Sequence, residues 1–234
     1  MSRATVARSP QGGQGGIMPE ESVLFIDAEA LVIDKPAGLA VHPGPRTPAS
    51  LEDHLDDLRF GFQRRPTPVH RLDRDTSGCL LLARNPKAHR RYQQAFEAGA
   101  VTKTYVAILD GLVDAEEGEV ALALRKVSTR ESGWRMVPDP AGQRAVTRWR
   151  RLAVRDGRTA ILFSPETGRT HQLRVHAAEG LGAPIVGDPV YGAAGGPMLL
   201  HALSLRMERD GKAPVEARAP LPPSFAAAGF GDVA

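Results

Sequence analysis

The chain has 234 residues, 42% hydrophobic and 24% charged, a length that buries roughly 70 to 75% of the unfolded surface and supports one substantial domain without staples. No apolar run approaches the ~20 residues of a membrane helix, no apolar core follows Arg3 and Arg8 as an export signal requires, and the single cysteine, Cys79, excludes an internal disulfide or cysteine metal cluster, so the expected setting is the cytoplasm. Net charge is +3 with a pI near 9.3, and twenty-five Arg stand against five Lys, which suits phosphate recognition by a planar fork and suits equally the codon bias of a GC-rich genome.

Residues 1–18 are rich in Gly, Gln, Ser and Arg without periodicity and read as a disordered leader, followed by one domain over 19–234. Ser22 to Asp27 and Ala30 to Asp34 are short apolar segments that predict a strand hairpin. The loop Lys35-Pro36-Ala37-Gly38 comes next, then a short amphipathic helix near Leu51 to Leu58, a polar loop from His70 to Gly78, and a strand over Cys79 to Ala83. Asn85-Pro86 sets a cap before a proline at the first helical position, so Pro86 to Ala98 is predicted as a helix that Gly99 ends, with Lys87, Arg90 and Arg91 exposed. In the strand Lys103 to Leu109, Tyr105, Ala107 and Leu109 alternate with Val106 and Ile108, which implies burial on both faces. Further strands are expected at Glu119 to Leu124, Ala145 to Val154, Thr159 to Phe163 and Leu200 to Met207, and a second helix from a Thr170 cap to about Gly182. Many strands with few helices between them predict an α+β domain on a mixed, largely antiparallel sheet with flanking helices and loops, not regular βαβ alternation. No GxGxxG opens a helix and no GxxxxGK[ST] occurs, so no bound nucleotide cofactor is implied.

The most chemically loaded segment is His70-Arg71-Leu72-Asp73-Arg74-Asp75-Thr76-Ser77-Gly78, which holds two carboxylates and two guanidinium groups within five positions and then turns directly into the apolar run Cys79 to Ala83. An anionic substrate reacting at a carboxylate needs both kinds of group. On chemistry alone either Asp73 or Asp75 could react, and Asp75 reads better as a cap on the Thr76-Ser77-Gly78 turn. The histidines do not make a metal site: His171 and His176 are five apart, and no nearby carboxylate completes a zinc set. Cys79, inside a strand, reads as a small core residue. Arg148-Trp149-Arg150-Arg151 alternates like a strand edge and reads as a solvated face, with an RNA-contacting face as the alternative.

His70 to Gly78 is similar to the HRLDxxTSG signature of the RluA-type pseudouridine synthases. Further segments match in order: Lys35-Pro36-Ala37-Gly38-Leu39-Ala40-Val41-His42-Pro43-Gly44 resembles KPxGLxVHPG, and Lys103-Thr104-Tyr105 resembles KxY. Glu166-Thr167-Gly168-Arg169-Thr170-His171-Gln172-Leu173-Arg174-Val175-His176 resembles the third motif, Gly187-Asp188-Pro189-Val190-Tyr191-Gly192 resembles GDPxYG, and Leu200-His201-Ala202 and Ala219-Pro220-Leu221-Pro222 resemble the closing LHA and APLP. The resemblance spans about residues 22–225. It implies the pseudouridine synthase fold and isomerisation of selected uridines in structured RNA, ribosomal or transfer. Residues 1–21 are too short to fold as the S4-type RNA-binding module that some relatives carry.

The implied reaction breaks the N1–C1′ bond, turns the uracil and joins C5 to C1′. No electrons are gained or lost, so neither redox cofactor nor metal is expected. By resemblance Asp73 is the catalytic residue, whether by an adduct at C1′, addition to the base, or a glycal route. A carboxylate in a dry pocket needs an adjacent cation to stay ionised, and Arg174 matches the family arginine that pairs with it. Tyr105 matches the active-site tyrosine, whose ring would stack on uracil and whose oxygen could take a proton. Arg71 resembles the residue that fills the stack after the base is extruded. His70, His171, Gln172 and Leu173, in the same motifs, are the other expected substrate contacts. The expected partner is an RNA stem-loop, with no membrane, and a monomer is sufficient. The alternative is an RNA-binding protein on the same scaffold without catalysis, against which intact Asp73, Tyr105 and Arg174 argue.

Overall fold

A computed structural model describes residues 20–44, 47, 49–129 and 133–234. The leader expected over 1–18 lies outside the described residues. The hairpin forms as expected, from β1 (Val23–Ile26) and β2 (Ala30–Lys35). Between them Asp27 accepts the backbone N–H groups of Glu29 and Ala30, each at 2.8 Å, which closes the turn. A two-residue β3 (Thr67–Pro68) precedes β4 (Ser77–Ala83), every residue of which is buried. Helix α1 (Pro86–Glu97) starts as its sequence dictates: the Asn85 side chain accepts the Ala88 N–H, and Pro86 loses nothing at a position whose N–H has no helical acceptor. Then come β5 (Val101–Leu109), β6 (Glu117–Ala121), β7 (Leu124–Thr129), β8 (Gly133–Pro138), β9 (Val146–Arg155) and β10 (Arg158–Pro165). A short α2 (Gln172–Val175) is followed by β11 (Leu200–Arg209), β12 (Lys212–Arg218) and α3 (Pro223–Ala227).

Ten strands form one sheet in the order β1-β2-β4-β11-β5-β10-β9-β6, with β3 beside β4 and β12 beside the outer half of β11; β7 and β8 form a separate hairpin. Strands β4 and β11 run parallel, and the other strand pairings are antiparallel. The domain is therefore α+β with a mixed, mostly antiparallel sheet.

Alternation along the central strands divides the core into two layers. On one face Val32, Cys79 and Leu81 pack under Ala88 and Tyr92 of α1, while Val106 and Ile108 pack with Phe225 and Phe230 at the chain's end. On the other face Leu31, Ile33, Leu80 and Leu82 meet Leu51, Leu55, Leu58 and Leu72. Further along that face Ala107, Leu109, Ile161 and Phe163 meet Leu173 and Ala177. Tyr105 touches both of these clusters and so stands at their seam.

Several expectations need correction. The helix over Leu51 to Leu58 is a 3₁₀ turn, Leu51–His54, whose Ser50 N–H is capped by Asp53 at 2.8 Å; its apolar residues still line the core. The second helix begins at Gln172 rather than Thr170. Its N-cap is His171 in the left-handed region at φ 53°, with no side-chain cap, and beyond Val175 it widens into a π-turn over His176–Gly180. The strand expected over Glu119 to Leu124 ends at Ala121, because Leu124 opens the β7–β8 hairpin, which was not foreseen; nor was β12. Arg148 to Arg151 do not form an edge, since β9 lies between β10 and β6, but the solvated face is as expected, with Arg148 and Arg150 exposed and Trp149 buried.

Gly78 enables the parallel contact of β4 with β11. Its φ is +104°, and a Cβ there would sit 2.2 Å from the Ala202 carbonyl oxygen. Gly78→Ala is therefore expected to destabilise the fold by at least ~2 kcal/mol through strain and overpacking, read as a lower urea midpoint at an unchanged slope.

Candidate active site

Asp73 lies in the turn before β4, where the Thr76 N–H closes onto the Asp73 carbonyl at 3.1 Å. Two groups, one at the end of β2 and one in the loop after it, hold the next residue. The Arg74 carbonyl accepts the Gly38 N–H at 2.9 Å and the Lys35 ammonium at 3.1 Å. Lys35 is fully buried and also donates to the carbonyls of Pro36 at 2.7 Å and Leu39 at 2.8 Å. Burial brings its pKa down to about 8, against the opposing pull of Asp75, Asp73 and Asp34. A cation with three carbonyl acceptors is thus built into the floor of the loop. Asp75 does not cap the turn; its two oxygens bind the Arg74 guanidinium at 2.9 and 3.0 Å, at the surface.

Arg174 reaches Asp73 from α2. Its Nη1 donates to Asp73 Oδ2 at 3.2 Å, while Nε and Nη2 each donate to Asp188 at 2.7 Å. Asp188 is wholly buried and also accepts the N–H groups of Val190 at 2.8 Å and Tyr191 at 3.1 Å. Burial works against the charge on both partners, yet the pair prevails: Arg174 is held above the usual guanidinium range by Asp188 and Asp73, and Asp188 below the usual carboxylate range by Arg174 and the two backbone donors. The fork on Asp188 fixes the guanidinium plane, which leaves one edge for Asp73. Gly187 makes the turn that delivers Asp188, at φ +75° with its α-carbon so close to Pro197 that a Cβ would lie 2.2 Å from that carbonyl oxygen.

A cleft opens above this ion pair. Its wall includes Arg71, Asp73, Lys103, Tyr105, His171 and Arg174, with Leu72, Leu173 and Leu200 as apolar lining. Burial, with the Asp73 charge adding to it, pushes the Tyr105 phenol well above its ordinary range, so it stays protonated. Burial also lowers His171, which is neutral near pH 7. Its Nε2 lies 3.9 Å from Asp73 Oδ2, and its Nδ1 lies 3.0 Å from the Tyr191 hydroxyl. Because that hydroxyl already accepts the Met136 N–H at 2.9 Å, its proton is free for Nδ1, and the ring then carries its own proton on Nε2, toward Asp73. Trp134 of β8 stacks on His171 with ring centroids 4.8 Å apart.

Asp73, Tyr105, Arg174, Arg71, His171 and Leu173 thus share one cleft, while two expected contacts serve the frame around it. His70 Nε2 accepts the Leu81 N–H at 3.0 Å and its ring stacks on Phe96 at 4.5 Å. It lines an adjoining groove that shares Arg71, Lys103 and Tyr105 with the cleft. Gln172 touches the cleft wall, but its amide is fully engaged. Its oxygen accepts Thr167 Oγ1 at 2.8 Å and the Arg169 N–H at 2.9 Å, and its nitrogen donates to the Val146 carbonyl at 3.0 Å and Thr147 Oγ1 at 2.9 Å. Three participants were not assigned a role from sequence: Asp188, Lys35 and Tyr191. The first two sat in plain view inside GDPxYG and KPxGL, as charged residues beside glycine and proline. Among the described residues no group of three or more His, Cys, Asp or Glu is placed to hold a metal.

Residues 29–179 match the family model described as RNA pseudouridylate synthase. The chain belongs to the RluA-type RNA pseudouridine synthases. An RNA pseudouridine synthase of Zymomonas mobilis is 58% identical over 212 residues, covering 89% of this chain and 97% of that one. A ribosomal large subunit pseudouridine synthase D of the same organism is 37% identical over 177 residues, covering 73% of this chain and 55% of that longer protein. Among solved structures, human RNA pseudouridylate synthase domain containing 4 superposes with a TM-score of 0.74 at 26% identity, covering 88% of this chain and 90% of that one. Members of the family isomerise uridine to pseudouridine in RNA, and this chain is an isomerase of that kind.

Asp188→Ala strands a buried guanidinium and is expected to cost about 3–5 kcal/mol at pH 7, measured by urea denaturation. Since the folded-state pKa of Asp188 is depressed, its contribution is present above pH 3.8 and is lost as pH falls below that value. The gap between wild type and variant should therefore close in strong acid.

Proposed function

We propose that this synthase isomerises a uridine in a stem-loop of ribosomal or transfer RNA, acting as a monomer in the cytoplasm with Asp73 as its catalytic carboxylate. The observation that carries the assignment is the Asp73–Arg174 contact of 3.2 Å at the floor of a cleft that also holds Tyr105. Isomerisation needs a nucleophilic or charge-stabilising oxygen near C1′, a surface that retains the loosened uracil, and a path for the C5 proton. A carboxylate fixed by a guanidinium meets the first need, as carboxylates do in glycoside chemistry. The flat Tyr105 ring between two apolar clusters meets the second. Its hydroxyl, kept protonated by burial, enters as a proton donor or relay rather than as a standing phenolate.

The cleft lies on a folded surface, so the target nucleotide must leave its stack to enter, at a cost of a few kcal/mol. Arg71 is exposed at the rim and is suited to fill the gap with its planar head. Leu173 and His171 contact the base or sugar. Gln172 and His70 we reassign from substrate contact to positioning: the first ties the start of α2 to β9, and the second fixes the residue before Arg71. The cytoplasmic setting is supported by the lone cysteine, which has no second cysteine in the chain to form a disulfide.

With RNA from cells lacking this gene, labelled with tritium at uridine C5, wild-type protein should release label into water and Asp73→Asn should release none while keeping its melting temperature. Binding without release by both proteins would favour the non-catalytic RNA-binding reading. Tyr105→Phe retains the ring and loses the hydroxyl. Its kcat should fall by about 10²- to 10⁴-fold with KM nearly unchanged, whereas Tyr105→Leu should raise KM as well.

A further inference from the structure

We propose that a second site, remote from the catalytic cleft, binds the phosphates of an RNA helix flanking the target uridine. It is the broad cleft of about 750 Å³ between the loop over residues 59–66 and the start of α1, where Arg59, Arg64, Arg65, Arg84 and Arg90 face one carboxylate, Asp56. The arginines divide into a frame and a free set. Arg84 is buried and donates to the carbonyls of Asp27 at 2.9 Å and Arg59 at 2.9 Å, while its guanidinium lies 3.6 Å from the Phe62 ring centre. Arg59 binds Asp56 at 2.8 Å and the Gln63 carbonyl at 2.7 Å. These contacts hold the loop in shape.

Arg64, Arg65 and Arg90 are the free set: all three are exposed, and none makes a hydrogen bond or ion pair with the described residues. This departs from much of the surface, where Arg74 is paired with Asp75, Arg91 with Glu29, Arg125 with Asp139, Arg155 with Asp232 and Arg206 with Glu216. Unpaired guanidinium groups around one concavity repel one another until an anion enters, and their planar forks match phosphate oxygens. Helix α1 adds the positive end of its dipole at Pro86, on the same cleft.

Placement argues for RNA as that anion. Strand β4 runs from Ser77, close to Asp73, to Ala83 on the cleft wall, six residue steps or about 20 Å. An A-form RNA duplex, rising about 2.8 Å per base pair, covers that span in roughly seven pairs. The inference rests on RNA as the substrate, as the family establishes, and adds that a helix beside the target loop is part of what is recognised.

The test uses full-length protein and a fluorescein-labelled 20-base-pair G·C RNA duplex, which holds no uridine, followed by anisotropy between 50 and 200 mM salt. The triple variant Arg64→Glu, Arg65→Glu, Arg90→Glu should bind at least tenfold more weakly. Its slope of log affinity against log salt should also be shallower by about 2 to 3, close to 0.9 per lost phosphate contact. Melting temperature should be unchanged, since no internal partner is removed; if the triple Glu variant does not fold, Gln at the same positions is read in the same way. The same reversal at Arg155, Arg158 and Arg206 should have little effect, and equal weakening there overturns the proposal as a net-charge effect. Unchanged duplex binding in the triple variant also overturns it and leaves the cleft to an acidic protein partner. Asp73→Asn should bind the duplex like wild type, so failure of the catalytic assignment and failure of this site are separately visible.

Discussion

One guanidinium organises this molecule's chemistry. Arg174 places two nitrogens on Asp188 and a third on Asp73, so a fully buried carboxylate dictates the direction from which Asp73 meets positive charge. A lysine could supply the charge but not the plane. Because a buried ion pair repays its desolvation only with good geometry and satisfied lone pairs, the backbone donors of Val190 and Tyr191 are as much a part of the site as the side chains. Asp73 itself retains some exposure, its side chain 20% accessible against 6% for Arg174. The arrangement is closed beneath and open above, as a pocket for an incoming base requires.

The sheet turns this contact into a fixed geometry. Asp73 enters from the turn before β4, Tyr105 from β5, and β11 lies between these two strands. Close approach of β4 to β11 depends on Gly78 having no side chain, and Lys35 ties the Arg74 carbonyl to the neighbouring loop. On the far side, the left-handed His171 starts α2 and is held by Tyr191 and Trp134. Strain of this kind persists where surrounding contacts over-determine it, and here it places an imidazole beside Asp73.

Arginine abundance, ambiguous as composition, acquires meaning only by location. Arg174 and Arg84 are buried and structural, several exposed arginines neutralise nearby carboxylates, and Arg64, Arg65 and Arg90 have no partner among the described residues. The same residue type thus orients a cleft carboxylate, braces a loop or stays exposed without a partner, distinguished by which acceptors the fold brings near.

Local physics made much of the architecture legible in the chain itself. The Asn85-Pro86 start of α1, the double-faced burial of β5, the β1–β2 hairpin and the mixed sheet all follow from capping chemistry and period-two alternation, and ordered motifs marked Asp73, Tyr105 and Arg174. What failed to show were features whose cause lies far along the chain. The start of α2 is displaced because the Gln172 amide binds Thr167 and β9, and the strand carrying Arg148 to Arg151 is not an edge because β6 adds outside it. The β7–β8 hairpin carries little apolar alternation and stands by packing Met136 and Leu124 against Val175. Sequence by itself determined which residues carry charge and where most of the helices and strands lie, since those depend on neighbours within a few positions. Only tertiary structure decided that Asp188, 115 positions beyond Asp73, aims the arginine at it, because a buried charge takes its partner from space rather than from sequence.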